Sequence, residues 1–280
     1  MRALDPRVIA IVWTAFEPLI PRRAPDEHPL GCHRPRIDDY VCFRGLVIRL
    51  ATGCSYLDAG RICGDVSGPT LRRRRDEWIA ADIFDRLETE ALAAYDRIIG
   101  LDLSEVCIDG SIHKAPCGGE GTGRSPVDRG KLGWKWSVAT DANGIPLGRA
   151  TDGANRHDIP LLEPTLDSVA ARGLILDIET LHLDRGYDAE TVRTTIASFE
   201  IHDAVIARKR RRGEAKPVVP VRQTLGLRWA VERTNSWWSN YGQLRRNTDR
   251  RIVHRLAWLS LATVFMLAIK LLDWRDRYSS

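Results

Sequence analysis

The sequence VCIDGS at residues 106–111 decides the fold, because an apolar run typical of a buried strand ends there in a carboxylate, Asp109. A second apolar run, at residues 178–183, leads directly into Asp184 within the sequence LHLDRGYD. An aspartate at the end of one strand more often caps a turn or pairs with a nearby arginine. The prediction of a functional site therefore depends on what accompanies these two residues.

A third carboxylate, Glu232, lies in the basic, Trp-rich sequence RWAVERTNSWW at residues 228–238. No proline follows residue 220, so this stretch is predicted to be helical. On its own, Glu232 is equally consistent with an exposed acid paired with Arg228 one helical turn earlier. Two strand-end carboxylates and one helical carboxylate together are what a two-metal phosphoryl-transfer site requires, because hard divalent cations take oxygen ligands from separate rigid elements.

The composition allows a packed core and indicates a polyanionic partner. The chain has 280 residues, of which 44% are hydrophobic, enough for a catalytic domain and a smaller additional one. The net charge is only +5, but residues 207–255 hold fourteen Lys and Arg against three Asp and Glu, a local net charge of +11. A basic surface beside a predicted metal ligand favours nucleic acid as the partner, and a solvated helix face is the alternative.

Cysteine spacing and apolar runs argue against two other classes of protein. The six cysteines include no C-x-x-C pair, which argues against a zinc ribbon. No signal peptide is recognisable, so we expect reduced thiols and a cytoplasmic, nucleoid-associated protein. The longest charge-free apolar run, residues 256–269, is shorter than the about 20 residues that span a bilayer. It is predicted to be a buried helix, with no role at a membrane.

Residues 1–99 are predicted to be mainly helical and to form a DNA-binding domain. Two short helices, separated near Gly64 with the second beginning after Ser67, fit a helix-turn-helix. The second helix carries four basic residues that would meet phosphates or base edges: Arg72, Arg73, Arg74 and Arg75. A plain helical hairpin with a basic face is the alternative.

From Leu101 the pattern changes to strands, and then to helices alternating with strands. The predicted strands are residues 105–112, 135–140, 145–151, 178–183 and 204–207, and the predicted helices begin after Asp158, span residues 189–198 and fill residues 223–273 as two long helices. Residues 141–144 supply the turn of a hairpin, and Asp158 is a candidate N-cap. Three antiparallel strands followed by helices alternating with parallel strands is the order of an RNase H-like fold.

Four stretches of the chain, in order, resemble the DDE transposases of bacterial insertion sequences, in particular the group of insertion sequence five. They are IDGSIHKAPCGGEGTGRSPVDRGKLGWK, IPLGRATDGANRHD, LHLDRGYD and WAVERTNSWWSNYGQLRR, and the resemblance covers nearly the whole chain. It implies an α+β fold, in which the helical, helix-turn-helix-like domain precedes an RNase H-like catalytic domain with a mixed sheet at residues 100–280. It also implies that Asp109, Asp184 and Glu232 are catalytic and bind Mg²⁺ or Mn²⁺.

The resemblance further implies metal-dependent cleavage of DNA at terminal inverted repeats and transfer of the cut strand into target DNA. The expected partner is double-stranded DNA, the transposon ends and the target, with a homodimer in the DNA complex. Two alternatives remain open: an RNase H-like nuclease without strand transfer, and a non-catalytic DNA-binding descendant. An intact set of three acids argues against the second alternative.

Several basic residues are candidate DNA contacts. Arg228 corresponds to a basic residue that belongs to one signature with the glutamate in this family. That signature is incomplete, because Leu225 and Ser239 stand where a tyrosine and a lysine are expected. The remaining candidates are Lys114, Lys131, Arg233, Arg245 and Arg246. His113 could also touch phosphates, and Trp134, Trp136, Trp237 and Trp238 are either core residues or platforms for an unpaired base.

Overall fold

A computed structural model describes residues 2–22, 35–207 and 228–278 of the chain. The chain divides into two compact units. The first contains Met1–Ile99, Asn240–Arg245 and Val253–Ser280, and the second contains Gly100–Ser239 and Arg246–Ile252.

The described part of the chain contains both helices and strands, as expected for an α+β protein. The helices are α1 (Pro6–Phe16), α2 (Asp39–Thr52), α3 (Tyr56–Gly64), α4 (Gly68–Ala80), α5 (Ile83–Ile98), α6 (Ile159–Ala170), α7 (Glu190–Ser198), α8 (Arg228–Ser239), the single turn α9 (Gly242–Arg245) and α10 (Ile252–Tyr278). The strands are β1 (Glu105–Lys114), β2 (Gly123–Arg124), β3 (Leu132–Thr140), β4 (Pro146–Gly153), β5 (Thr180–Leu183) and β6 (Asp203–Ile206).

The first unit is helical, and its helices begin where the sequence provides caps. Asp38, Ser55 and Ser67 each accept a hydrogen bond from the backbone N–H three residues later, which fixes the starts of α2, α3 and α4. The helix pair α3–α4, joined by residues 65–67, confirms the predicted pair of short helices. An aromatic cluster fills the core, in which Phe16 contacts both Phe43 and Trp78.

The C-terminal part of the chain differs from the prediction. Two long helices were expected over residues 223–273, whereas α8 and α10 are separated by residues 240–251, which contain only the turn α9. Residues 223–227 lie outside the described residues. We also expected residues 100–280 to form one domain, but α10 belongs to the first unit. Ion pairs from Arg2 to Asp273 and from Asp76 to His254 tie α10 to the N-terminal segment and to α4.

Helix α10 is a buried helix, as the apolar run in its sequence predicted. It is long and apolar enough to cross a membrane by length and composition, but 78% of its most apolar window is buried inside the protein. One such helix is weak evidence for a membrane segment, because the core helix of a globular unit has the same composition.

The second unit is built on a mixed sheet. Strand β1 is central, pairing antiparallel with β3 and parallel with β5. Strand β3 continues to β4 in an antiparallel hairpin, and β5 continues to β6 in parallel. The five longer strands therefore lie in the order β4-β3-β1-β5-β6, the RNase H-like arrangement that the resemblance implied.

The two faces of this sheet are covered by different helices. On one face, Ile108 of β1 and Ala139 of β3 belong to a buried apolar cluster with Leu162 and Leu166 of α6. On the other face, α8 packs against β1 and β3. Because side chains alternate along a strand, successive residues of β1 face α6 and α8 in turn.

Candidate active site

Asp109 and Asp184 are neighbours, directly after the parallel pairing of two adjacent strands ends. The last pair in the register of β1 and β5 is Ile108 with Leu183, and an aspartate follows each. Strand β5 ends there, whereas β1 continues to Lys114 in its pairing with β3. Parallel neighbours lie about 4.8 Å apart, so the two side chains begin from adjacent positions. Asp184 accepts a hydrogen bond from the Gly186 N–H at 2.7 Å, which caps a short 3₁₀ turn. Both carboxylates are partly exposed.

Asp109 faces the helix that carries Glu232. Asp109 pairs with Val138 and Ser111 pairs with Trp136 in the antiparallel register, so these four side chains share one face of the sheet. Trp136 donates its indole N–H to Asn235 Oδ1 of α8 at 2.7 Å, which identifies that face as the α8 face. Glu232 is an exposed residue on the same helix.

Helix α8 is fixed on the sheet by the turn between β3 and β4. Arg233 donates to the Asn143 carbonyl, and Thr234 Oγ1 donates to the Gly144 carbonyl at 2.5 Å. Gly144 has a φ of 71°, and a Cβ added there would lie 2.8 Å from the Ala230 carbonyl oxygen. The helix approaches the turn this closely only because Gly144 has no side chain.

A charged pair supports the opposite face of β1. Lys135 is 4% exposed, and its ammonium group donates to Asp158 Oδ1 at 2.8 Å and to the Arg156 carbonyl at 2.9 Å. The Asp158 carboxylate lies against the Cα of Gly110, where any Cβ would clash with it. Asp158 was predicted to cap α6, but its side chain makes no capping hydrogen bond. It accepts a hydrogen bond from Lys135 instead.

Tyr187 lies close enough to Asp109, Asp158 and Asp184 for their charges to affect its pKa. Its side chain is 1% exposed in the core beneath β5. Burial raises the pKa of its phenol well above the usual range, and the negative charges of Asp158, Asp109 and Asp184 add to that effect. The phenol therefore stays neutral. Its environment also indicates that the three carboxylates occupy one region of the molecule.

The donor set fits a hard divalent cation. Asp109 and Asp184 offer carboxylate oxygens only, and partly exposed oxygen ligands are what Mg²⁺ and Mn²⁺ prefer. Within residues 2–22, 35–207 and 228–278, however, no three His, Cys, Asp or Glu side chains are grouped closely enough to hold an ion. A three-carboxylate site would require the side chains of Asp109, Asp184 and Glu232 to come closer together.

The arginine run of α4 is divided between the surface and the core, which corrects the prediction. Arg72 and Arg73 are exposed. Arg74 is 3% exposed, pairs with Asp39 and donates to the Ile37 carbonyl at 2.9 Å. Arg75 is 4% exposed and is engaged by Asp76 and the Tyr56 hydroxyl. Two of the four predicted DNA contacts are therefore structural residues.

Arg233 is also occupied within the protein. Its guanidinium stacks between the rings of Trp229 and Trp237, 4.2 and 4.6 Å from their centroids, besides holding the β3–β4 turn. The sequence carried a signal for this stack, since the two tryptophans lie four residues before and four after the arginine. Trp229 is 47% exposed and was not singled out from the sequence.

The other predicted contacts are placed as follows. Lys114, Lys131, Arg245 and Arg246 have exposed side chains. Arg228 begins α8, but its side chain lies outside the described part of the chain, as does the basic segment at residues 208–227. Trp134, Trp136 and Trp238 are fully buried, so they are core residues rather than free stacking platforms.

A known domain covers the second unit and extends into the C-terminal helix of the first. Residues 100–267 match the model of the transposase DDE domain. This chain belongs to the transposase DDE-domain family. The assignment to the group of insertion sequence five stays a prediction.

Two relatives from Burkholderia cepacia are similar to this chain. A protein named as a candidate transposase for insertion sequence element IS402 is 34% identical over 146 residues, 50% of this chain and 65% of the relative. A 16.2 kDa protein of insertion element IS402 is 30% identical over 115 residues, 41% of this chain and 78% of the relative. The chain thus spans just under two thirds of the first relative.

Among solved structures, the Mos1 transposase paired-end complex with the left transposon end aligns over 88% of this chain and 81% of its own. The identity is 10% and the TM-score 0.28, values at which the likeness supports no inference about this chain.

Proposed function

We propose that this DDE-domain protein cuts DNA at the ends of its own element and joins the cut 3′-ends to target DNA. The observation that carries the proposal is the placement of Asp109 and Asp184. They directly follow the last pair of two adjacent parallel strands, and Asp109 faces the helix that bears Glu232. Two carboxylates on the sheet and one on a packed helix are the ligands that a two-metal site for phosphodiester chemistry would use.

Each of the three residues has a distinct role in this proposal. Asp109 and Asp184 would hold the divalent ions from adjacent positions on the sheet, and Glu232 would complete the ligand set from α8. Mg²⁺ or Mn²⁺, when bound as a pair, supplies an activated water or 3′-hydroxyl and stabilises the leaving oxygen. The protein contributes the geometry: the docked turn at Gly144 fixes α8, and the Lys135–Asp158 pair supports the backbone behind Asp109.

The proposed partner is double-stranded DNA. Arg72 and Arg73 present two exposed positive charges on α4 in the first unit. Lys114, Lys131 and Arg246 add exposed cations in the second unit. Such residues neutralise phosphates and release counterions, so binding should weaken steeply with salt. We further propose a homodimer in the DNA complex and a cytoplasmic, nucleoid-associated protein.

Substitution of Asp109 tests the catalytic assignment. Asp109→Asn should abolish Mg²⁺-dependent cleavage of DNA that carries the sequences flanking the gene, because it removes a ligand charge. DNA binding should persist, since it depends on the basic surface. Asp177→Asn is the matched control, because Asp177 is an exposed aspartate of the same unit outside the site. Cleavage that survives in Asp109→Asn would refute the assignment.

The two alternatives separate in the same assay. A transposase yields joined products when a supercoiled target plasmid is added. A nuclease yields cut ends but no joined products. A non-catalytic DNA-binding descendant retards the DNA and leaves it intact with either metal ion.

A further inference from the structure

We propose that Ser111 is a further substrate-contacting residue, whose hydroxyl donates to a DNA phosphate beside the cut, and that His113 is the residue that orients it. This inference rests on the proposed function. It assigns a role to a serine and a partly buried histidine that the three-carboxylate site does not use.

The strand geometry places Ser111 beside Asp109. Residues 109, 111 and 113 alternate onto the α8 face of β1, and successive residues on one face are about 7 Å apart. Ser111 is partly exposed. A phosphate that approaches ions held by Asp109 would therefore pass within reach of this hydroxyl.

His113 holds the serine from the protein side. Its Nε2 lies 2.8 Å from Ser111 Oγ. Its ring is stacked on the indole of Trp136, with centroids 3.7 Å apart and planes inclined by 15°. Trp136 is itself fixed by its hydrogen bond to Asn235 of α8. The imidazole thus has one position, set by both the sheet and the helix.

The protonation state of His113 determines which way the hydrogen bond runs. Burial lowers the pKa of His113 to about 3, so the ring is neutral at physiological pH. In the tautomer with the proton on Nε2, the ring donates to Ser111 Oγ. The serine proton is then free to point away from the ring, toward a phosphate oxygen. A neutral donor suits this position, because a cation buried here would be costly.

The test is a double-mutant cycle measured on cleavage of flanking-sequence DNA. Ser111→Ala should lower kcat/KM roughly 10- to 100-fold, the loss expected for one hydrogen bond to a charged group. His113→Phe keeps the stack on Trp136 but removes the donor, and should lower kcat/KM equally. The double variant should be no worse than either single variant.

Conservative variants separate orientation from packing. Ser111→Thr keeps the hydroxyl, and His113→Gln places an amide N–H near the Nε2 position; each should retain kcat/KM within about threefold. Unchanged cleavage by Ser111→Ala would overturn the inference, as would losses that multiply in the double variant or a His113→Gln variant as impaired as His113→Phe. Should His113→Phe fail to fold, His113→Gln and the serine variants decide the question. Absence of cleavage by the wild-type chain would instead refute the proposed function, and this inference with it.

Discussion

Replacing Gly144 by alanine tests whether the docking of α8 on the β3–β4 turn matters for catalysis. The backbone at Gly144 has a φ of 71°, a conformation that costs an L-residue about 1–2 kcal/mol. The new Cβ would also lie 2.8 Å from the Ala230 carbonyl oxygen, which is closer than such atoms approach in proteins. Because that oxygen belongs to the helix backbone, either the turn or α8 must move.

Gly173 provides a matched control for the backbone strain. Its φ is 73°, but a Cβ added there meets nothing within 4 Å. Gly173→Ala should therefore cost only the conformational term, about 1–2 kcal/mol. Gly144→Ala adds an overpacking term of about 1–3 kcal/mol, for a total of about 2–5 kcal/mol. Urea unfolding of the two variants beside the wild type measures the difference.

The functional consequence should exceed the loss of stability. Helix α8 carries Glu232, and a displacement of about 1 Å in a catalytic group can cost about 100-fold in rate. We expect Gly144→Ala to cleave DNA about 100-fold more slowly at a temperature where it is fully folded, and Gly173→Ala to cleave like the wild type. Equal stability of the two variants, or full cleavage by Gly144→Ala, would show that the turn does not position the helix.

Three further predictions concern charge. Replacing Arg72 and Arg73 by alanine should weaken DNA binding and reduce the slope of log affinity against log salt concentration by about two. The control Arg86→Ala, at an exposed arginine, should change neither the affinity nor the slope. An unchanged slope in filter binding would place DNA recognition elsewhere. Lys135→Met removes a buried ammonium group from its half-exposed carboxylate partner. The free energy of unfolding in urea should fall by about 1–3 kcal/mol. An unchanged free energy would mean that the pair contributes no net stability. Burial holds the pKa of His113 at about 3, below its unfolded value of about 6.5, so the unfolded chain binds the extra proton between these values. The folded state therefore loses stability as the pH falls from about 6.5 toward 3. Between pH 7.5 and pH 5 the free energy of unfolding of the wild type should fall by about 2 kcal/mol more than that of His113→Gln, which lacks the imidazole. Parallel urea midpoints of the two proteins from pH 7.5 to 5 would contradict it.

The neighbouring positions of Asp109 and Asp184 were predictable because two local signals coincide. An apolar run of strand length determines where the backbone enters the sheet, and in both strands the carboxylate comes directly after the last residue of the parallel pairing. Adjacent placement of Asp109 and Asp184 then follows from the parallel pairing of their strands. These are properties of short segments and of the order of elements, which a sequence displays directly.

The fate of the arginine run was not predictable in the same way. Four consecutive residues on a helix point about 100° apart, so a run of four must cover the inner face as well as the outer one. Which two turn inward depends on distant partners: Arg74 meets Asp39 of α2, and Arg75 meets Tyr56 of α3. A basic run counted from the sequence therefore overstates the charge that a helix can offer to DNA.

The alternation of side chains along β1 places the proposed functional residues on one face of the strand and the supporting residues on the other. Asp109, Ser111 and His113 face α8, whereas Ile108 and Gly110 face α6 and the Lys135–Asp158 pair. A shift of one residue in the pairing of β1 would exchange the two sets, burying the carboxylate in the apolar cluster and exposing the isoleucine. The apolar contacts of the α6 face therefore fix more than stability. They fix which side of the strand the aspartate presents, and Gly110, held against Asp158, leaves no room for that side to change.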